Sequence, residues 1–182
     1  AAQTAGVPVL DGVATDDADA VARHVAALPQ GTPLIVKALA GGGGRGIRIV
    51  DNPADLPEAM AVCAREAESA FGSGAVMVER FIRRARHIEE QVLGDGTVVT
   101  SLGTRDCTIQ RRHQKLIEIA PAPALSASLA ARIEAAARAV IAATPYCGLA
   151  TVEFLLDADA DPESDAAFAF IEVNPRLQVE HT

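Results

Sequence analysis

The chain has 182 residues, of which 49% are hydrophobic and 22% are charged. This composition is typical of a folded globular core and excludes a mainly disordered chain. The formal net charge of −8 argues against broad electrostatic binding to nucleic acid or to an anionic membrane surface, because either needs a basic footprint. Three widely spaced cysteines, without a C-x-x-C pair, argue against a disulfide framework or a zinc site and favour a reducing compartment.

The sequence carries no signal for a membrane span or for export. No apolar run approaches the ~18 residues that a spanning helix needs. The opening segment AAQTAGVPVLDG lacks the basic region of a signal peptide. The chain does not open on methionine and stops within the motif NPRLQVEHT, so we expect it to be a piece of a longer protein.

Hydrophobic periodicity and turn residues predict the secondary structure. In chain order the elements are a helix over 15–28, strands over 33–39 and 46–50, a helix over 53–70, strands over 75–80, 86–93, 97–104 and 115–119, a helix over 126–143, and strands over 149–156 and 168–173. The predicted N-caps of the helices are Thr15, Asp51 or Asn52, and Ser126. Consecutive strands with few helices between them indicate an α+β fold rather than a doubly wound one.

A glycine-rich loop follows the first strand, where Lys37 precedes the run G-G-G-G-R-G at 41–46. Consecutive glycines let backbone N–H groups close on phosphate oxygens, and a lysine on the preceding strand adds positive charge for the same phosphates. The pattern is not G-x-x-x-x-G-K-[ST], and a strand follows it, so the P-loop and dinucleotide-binding interpretations fail. From the glycines alone, a flexible hairpin tip is an equally good interpretation.

Two glutamates lie within otherwise apolar strands near the end of the chain. Glu153 stands in T-V-E-F-L and Glu172 in F-I-E-V-N, with Asn174 two residues further on. Because a carboxylate is rarely buried unless it is paired or bound to a metal, strands joined by a short loop could bring the two side by side as Mg²⁺ ligands. The alternative is that both glutamates point to a solvated face of the sheet.

Two polar segments could bind an anion. The basic run Q-R-R-H-Q-K at 110–115 could receive phosphate, although a solvated turn is the simpler interpretation of a charge run. The segment N-P-R-L-Q-V-E-H at 174–181 places Arg176 and Glu180 just after the second strand carboxylate. Arginine can hold a planar anion through two hydrogen bonds, and a nearby glutamate can accept a proton.

Together these motifs resemble the biotin carboxylases, the ATP-grasp components of acetyl-CoA, propionyl-CoA, pyruvate and related carboxylases. In family order the matching motifs are K-A-x-x-G-G-G-G-R-G, E-R-F-I-x-x-x-R-H-I-E-x-Q, R-D-C-T-I-Q-R-R-H-Q-K, E-x-A-P-A, V-E-F-L and I-E-V-N-P-R-L-Q-V-E-H. The resemblance runs from about residue 33 to residue 182 and looks most like the long multidomain acyl-CoA carboxylases. It implies an α+β ATP-grasp fold with an N-terminal connector at 1–14, a small lid subdomain at 15–80 and an antiparallel-sheet palm subdomain at 81–182, truncated at its C-terminus.

The resemblance implies a role for each matching residue. ATP would be held by Lys37, the backbone at Gly43 and Gly44, the adenine-reading residues Glu79, Arg80, Phe81 and Ile82, the ribose-side residues His87 and Glu89, and Gln110 and His113. Glu153 and Glu172, with Asn174 beside them, match the metal carboxylates. The bicarbonate site would comprise Lys115, Arg176, Gln178 and Val179, and Glu180 matches the base that deprotonates bicarbonate, so Lys115, Arg176 and Glu180 are the implied catalytic residues.

The implied activity is ATP- and bicarbonate-dependent carboxylation of biotin through carboxyphosphate. Its cofactors would be ATP, Mg²⁺ or Mn²⁺, and biotin on a carrier domain, and its partners the carrier and carboxyltransferase domains or subunits of a cytoplasmic enzyme. The chain departs from the family because it lacks the N-terminal α/β layer and everything after Thr182. We therefore expect the piece alone to be monomeric and at best a weak nucleotide binder, and the longer parent to be the oligomeric enzyme.

Two other interpretations stay open. Another ATP-grasp ligase, such as carbamoyl-phosphate synthetase, shares bicarbonate phosphorylation and a similar strand, but carries a serine-rich segment where this chain has R-L-Q-V-E-H. A catalytically silent nucleotide-binding module would predict damage to the metal pair or the base, whereas Glu153, Glu172 and Glu180 are all present.

Overall fold

The structure, a computed structural model, describes residues 2–15, 17–40, 46–111 and 114–178, apart from the side chain of Ala18. These residues fall into two compact units. The smaller unit is Leu10–Arg83, and the larger unit joins the residues up to Val9 to those from Arg84 onward. The units are defined by contacts alone, so the assignment of 15–80 to a lid subdomain and of 81–182 to a palm subdomain stays a prediction.

The smaller unit is an antiparallel sheet with helices packed against it. Its elements are β1 (Gly12–Ala14), α1 (Ala18–Ala27), β2 (Leu34–Ala38), β3 (Ile47–Val50), a 3₁₀ turn (Pro53–Asp55), α2 (Leu56–Phe71) and β4 (Val76–Arg80). The strand order is β1–β4–β2–β3, and the predicted hairpin of β2 and β3 is confirmed. The buried core consists of Val21, Leu34, Val36, Val50, Leu56, Cys63, Val76 and Val78.

Two local predictions in this unit need correction. The cap of α1 is Asp17, whose carboxylate accepts a hydrogen bond from the Asp19 N–H at 2.9 Å, while the predicted cap Thr15 accepts one from the Asp17 N–H at 3.0 Å. Thr15 thus orders the residue that caps the helix. Strand β1 was not predicted because it is three residues long with no buried residue, and its place depends on pairing with β4.

The larger unit is a five-stranded antiparallel sheet with one long helix. Its elements are β5 (Ala85–Asp95), β6 (Val99–Arg111), β7 (Gln114–Ile119), α3 (Ala127–Ala142), β8 (Cys147–Asp157), a 3₁₀ turn (Asp165–Ala167) and β9 (Phe168–Asn174), in the sheet order β7–β6–β5–β8–β9. The cap of α3 is Ser126, as predicted, and it accepts from the Leu129 N–H at 3.1 Å. Strand β6 runs seven residues past the predicted end at 104, so Gln110 belongs to a strand and the predicted solvated turn is shorter.

The sheet of the larger unit has one apolar and one polar face. Helix α3 packs against the apolar face, where Ile88 pairs with Phe154 and Val92 with Ala150. Because successive strand residues point to opposite faces, the residues between them form a polar face, defined here by Glu89, Gln91, Thr151 and Glu153. All four are buried, so their polar atoms must be satisfied within the protein or by a ligand.

The α+β fold class predicted from the sequence is confirmed by these two antiparallel sheets and their helices. Among the described residues, no helix is both long and apolar enough to cross a bilayer.

Candidate functional site

The carboxylate pair predicted from the sequence lies side by side in the larger unit. Glu153 on β8 and Glu172 on β9 are directly paired across the two strands. Asn174 joins them, since its Nδ2 donates to Oε1 of Glu153 at 2.9 Å and to Oε1 of Glu172 at 3.0 Å. Glu153 is buried whereas Glu172 is exposed, so the pair has one solvent-accessible member. Such oxygen ligands suit Mg²⁺.

Two basic side chains contact Glu153 and lower its pKa. His87 Nε2 lies 2.8 Å from Oε2 of Glu153, and Lys115 Nζ donates to Oε1 at 3.1 Å. Burial alone would raise the pKa of Glu153, but the hydrogen bonds and charges of His87 and Lys115 outweigh it, and the pKa lies below its ordinary value. The buried carboxylate therefore carries a negative charge at neutral pH.

Glu89 holds two basic residues of the chain itself. It is fully buried on β5, and its Oε2 accepts from Arg105 Nη2 at 3.0 Å. Its Oε1 accepts from Lys115, while His87 Nε2 lies 3.8 Å away. Lys115 thus lies between Glu89 and Glu153. The predicted contact of Glu89 with a ribose stays a prediction, but its contacts here are those of a residue that fixes Lys115.

His87 and Gln110, both predicted to line a nucleotide pocket, contact each other. Gln110 Nε2 lies 2.8 Å from His87 Nδ1 and also donates to the Cys107 carbonyl at 2.8 Å. An amide nitrogen donates, so Nδ1 accepts and the ring proton belongs on Nε2, which faces Glu153. Cys107 is fully buried, and burial together with the nearby Glu118 raises the pKa of its thiol to about 12. It is therefore an inert core thiol.

Two residues predicted to bind bicarbonate follow β9. Arg176 Nη1 donates to Oε1 of Gln178 at 2.6 Å, and the Arg176 N–H donates to the Asn174 carbonyl at 2.7 Å. Arg176 is exposed and Gln178 is buried. The backbone of Arg176 is therefore bonded to Asn174 beside the carboxylate pair, while its guanidinium contacts Gln178. Val179 and Glu180, predicted as a bicarbonate contact and as the base, lie outside the described residues, as does His113.

In the smaller unit, the predicted phosphate lysine pairs with a predicted adenine-reading residue. Lys37 on β2 and Glu79 on β4 form an ion pair, both largely buried. Gly12 makes room for it, because a Cβ at that position would lie 2.6 Å from Cγ of Glu79. The Arg80 and Phe81 N–H groups donate to backbone carbonyls, and Ile82 is buried. Gly43 and Gly44 lie outside the described residues.

Sequence reasoning assigned no role to three buried polar residues of the larger unit. These are Gln91, Arg105 and Thr151, each fully buried. Gln91 and Arg105 were part of the quoted motifs, and Thr151 lies two residues before Glu153. Their burial could not be predicted from the sequence, because the partner of a polar residue in a strand is unknown until the strand register is known.

Comparisons with known proteins show which family the chain belongs to. Residues 1–182 match the family described as carbamoyl-phosphate synthase L chain, ATP binding domain. The chain is 47% identical to pyruvate carboxylase 1 of Caenorhabditis elegans and 44% identical to the chloroplastic biotin carboxylase of Arabidopsis thaliana, covering 100% and 98% of this chain. It spans only 15% and 32% of the length of these relatives.

Solved structures give the same result. The biotin carboxylase of Campylobacter jejuni in a β,γ-ATP complex is 45% identical with a TM-score of 0.86, over 99% of this chain and 39% of that one. The biotin carboxylase domain of the Hydrogenobacter thermophilus 2-oxoglutarate carboxylase, solved as a dimer with MgADP, ADP and bicarbonate, is 38% identical with a TM-score of 0.86, over the same shares.

The chain belongs to the ATP-grasp family of carbamoyl-phosphate synthase L chain ATP-binding domains. Its homologues are pyruvate carboxylases, biotin carboxylases and methylcrotonoyl-CoA carboxylase alpha subunits, so the resemblance to biotin carboxylases predicted from the motifs is confirmed, as is the α+β ATP-grasp fold.

Proposed function

We propose that this chain contributes to the ATP- and bicarbonate-dependent carboxylation of biotin through carboxyphosphate, as part of a longer biotin-dependent carboxylase. One observation carries the proposal. The paired carboxylates Glu153 and Glu172 lie beside Lys115 and next to the backbone of Arg176, so oxygen ligands for a cation and positive charges for an anion share one part of the larger unit. The proposed reaction needs both kinds of site, because ATP binds together with a divalent cation and bicarbonate is an anion.

The residues fit a divalent cation. Oε1 of Glu153 and Oε1 of Glu172 lie close together, since both accept from Asn174 Nδ2, and the pKa of Glu153 is below its ordinary value. A cation would replace the amide protons between these oxygens, with the Asn174 amide turned to offer Oδ1. Glu153, Glu172 and Asn174 would hold Mg²⁺ or Mn²⁺, which when bound supplies charge neutralisation at the transferring phosphoryl group.

The chain's own residues supply the remaining binding and orientation. Lys115 and Arg176 offset the charge of bicarbonate, and Gln178, held by Arg176, can hydrogen-bond to a bicarbonate oxygen. Glu180 takes the proton from bicarbonate, because the anion must lose it before it can attack phosphorus. Glu89 accepts a hydrogen bond from Lys115, and His87 contacts Glu153, so both hold these side chains in place.

The nucleotide roles follow the family pattern. Lys37 and the backbone at Gly43 and Gly44 bind phosphates, and Glu79 with Arg80, Phe81 and Ile82 reads adenine. Because Lys37 forms an ion pair with Glu79, ATP would bind to a lysine that already has an anionic partner. In the larger unit, the nucleotide-binding residues are His87, Glu89, Gln110 and His113. The Hydrogenobacter thermophilus structure, which holds MgADP and bicarbonate, supports these assignments.

The longer protein supplies the other components. Biotin on a carrier domain, a carboxyltransferase, an oligomeric parent and a cytoplasmic location are all part of this proposal. The relatives that support it include complete pyruvate carboxylases, of which this chain would be a small part.

The test measures ADP release by the full-length protein that carries this chain, with Mg-ATP, bicarbonate and free biotin. We expect turnover that needs both bicarbonate and biotin. Glu172→Gln should lower it by about 10²-fold, as loss of a charge-stabilising group does, and Glu180→Gln should abolish the bicarbonate-dependent part. Glu163→Gln, which alters an exposed carboxylate bonded to Ser128, is the matched control and should leave turnover unchanged. A rate that ignores bicarbonate would contradict the proposal.

A second candidate function follows from the name of the family. The matched family is described by carbamoyl-phosphate synthase, which phosphorylates the same anion. The same assay separates the two: turnover that ignores biotin but needs ammonia or glutamine would assign the protein to the synthase branch. Tight ATP binding without any turnover would favour a silent module.

A further inference from the structure

Gln91 is a buried amide with an unusual concentration of partners. Its Nε2 donates to the Ala150 carbonyl at 2.9 Å. Its Oε1 accepts from Thr151 Oγ1 at 3.0 Å, from the Gln178 N–H at 3.3 Å and from Arg105 Nη2 at 3.4 Å. Gln91, Thr151 and Arg105 are fully buried. A buried amide is costly unless it is satisfied, and here one oxygen serves three donors from three separate parts of the chain.

Two of those contacts reach the segment 176–178, which carries Arg176 and Gln178. The Gln178 N–H donates to Gln91, and the Thr151 hydroxyl lies 3.3 Å from the Arg176 carbonyl. The segment is thus bonded to Gln91 at its last residue. At its first residue it lies within reach of Thr151, whose single hydroxyl proton can go to Gln91 Oε1 or to the Arg176 carbonyl. The side chains of Arg176 and Gln178 are then free to contact each other at 2.6 Å.

The third contact, with Arg105, connects Gln91 to Lys115 through Glu89. Arg105 Nη2 lies 3.4 Å from Gln91 Oε1 and 3.0 Å from Glu89 Oε2, and Glu89 also accepts from Lys115. One continuous buried network therefore joins Lys115 on β7 to the segment that carries Arg176 and Gln178. We name it the Gln91 network, defined by Gln91, Thr151, Arg105 and Glu89.

We propose that Gln91 is a positioning residue that holds Arg176 and Gln178 in place relative to Lys115, and so sets the affinity for bicarbonate. This rests on the proposed function, in which those three residues bind that anion. A nonpolar side chain at position 91 would leave the Gln178 N–H without its acceptor and the Thr151 hydroxyl with the Arg176 carbonyl alone.

The test compares Gln91→Leu with wild type in the full-length protein that carries this chain. We expect the KM for bicarbonate to rise roughly three- to ten-fold, the size expected for one or two lost hydrogen bonds. The KM for ATP should stay unchanged, since Gln91 bonds directly to none of the residues assigned to ATP. A parallel rise in both would indicate general damage to the fold and would overturn the proposal.

Three further variants separate positioning from stability. Thr151→Val, which loses the hydroxyl, should shift the bicarbonate KM in the same direction, and Thr151→Ser, which keeps it, should restore the wild-type value. Tyr146→Phe is the matched control, because it removes the 2.8 Å hydrogen bond from Tyr146 Oη to the Leu149 carbonyl in the same unit but away from the network. It should leave the bicarbonate KM unchanged. If Gln91→Leu does not fold, the comparison of Thr151→Val with Thr151→Ser tests the proposal instead.

A readout without turnover keeps this inference apart from the proposed function. Hydrogen exchange at the Gln178 amide should become faster in Gln91→Leu, while the paired amides of β5 and β8 keep their protection. If wild type shows no bicarbonate-dependent turnover, the proposed function fails, and faster exchange still shows that Gln91 holds the segment. Unchanged exchange together with an unchanged bicarbonate KM in folded Gln91→Leu would overturn the inference.

Discussion

Burial and charge conflict at Glu90. It lies on the apolar face of the larger sheet, between Ile88 and Val92, with 1% of its surface exposed. Ser101 donates to its Oε1, while its Oε2 is buried without a hydrogen-bond partner among the described residues. Burial raises the pKa of this carboxyl, the Ser101 hydrogen bond opposes the shift, and the negative charge of Glu134 adds to it. The fold therefore favours the protonated form.

That conflict predicts a stabilising substitution. Because the pKa of Glu90 is higher in the folded than in the unfolded chain, its contribution to stability is fully present below the unfolded pKa and is lost as pH rises through the folded pKa. Glu90→Gln removes the charge and keeps the shape. We expect it to raise the free energy of unfolding by about 1 kcal/mol at pH 8, as relief of one buried unsatisfied group does, and to add little at pH 4.

Urea unfolding of the wild type and of Glu90→Gln at pH 4, 6 and 8 would check this prediction. Glu134→Gln is a useful companion, because it removes the neighbouring charge and should give a smaller gain that grows with pH, set against the loss of its exposed ion pair with Arg138. If Glu90→Gln destabilised the chain equally at every pH, the carboxylate would have an unseen favourable partner and the prediction would be wrong.

At the scale of elements, the turn between β5 and β6 depends on one carboxylate. Asp95 Oδ1 accepts from the Thr97 N–H at 2.8 Å, the Thr97 hydroxyl at 2.8 Å and the Val98 N–H at 2.7 Å. Gly96 takes a left-handed conformation with φ of +93°, which a side chain would strain. The hydrogen bonds from Val98 and Thr97 lower the pKa of Asp95 to about 2.

Removing the acceptor oxygen of Asp95 should destabilise this turn. Asp95→Ala is expected to lower the melting temperature at pH 7, whereas Asp95→Asn keeps an acceptor oxygen and should change it less. A depressed folded pKa gives stability that is present above the unfolded pKa and is lost as pH falls toward about 2. The melting temperature of wild type should therefore fall below that of Asp95→Asn as pH approaches 2, and equal curves at all pH values would contradict this.

The predicted elements show which features the sequence can define. Alternation and turn residues located the hairpin of β2 and β3 and the pairing of Glu153 with Glu172, because these depend on local pattern. The end of β6 could not be located, since its last residues hold their place by irregular pairing with β7. The cap of α1 was also misplaced, because Thr15 and Asp17 can both cap a helix and the sequence does not show that Asp17 caps it while Thr15 bonds to Asp17.

Across the whole chain, the family motifs located the site residues but not their contacts. Glu89 is buried between Arg105 and Lys115, and Lys37 pairs with Glu79; the roles of Glu89 at ribose and of Lys37 at phosphate stay predictions. These ion pairs were not predicted, because an ion pair between neighbouring strands depends on register, which a motif does not encode.

The cysteines allow both cores to be checked at once. Cys63 is buried in the core of the smaller unit, Cys107 is buried in the larger unit, and Cys147 is exposed. Burial is the main cause that raises the pKa of Cys63, and burial with Glu118 raises that of Cys107 to about 12, so neither supplies thiolate at pH 8.

Labelling of the native chain with a thiol reagent at pH 8 should therefore modify Cys147 quickly and the other two only after unfolding. Cys147→Ser should remove the fast phase and leave the slow ones unchanged. Mass mapping along a urea titration then reports on each core through its own cysteine, because Cys63 lies in one unit and Cys107 in the other. Rapid labelling of Cys107 without denaturant would mean that the sheet around Glu89 and Lys115 is open in solution, and the ion pairs that carry the proposed bicarbonate site would not hold.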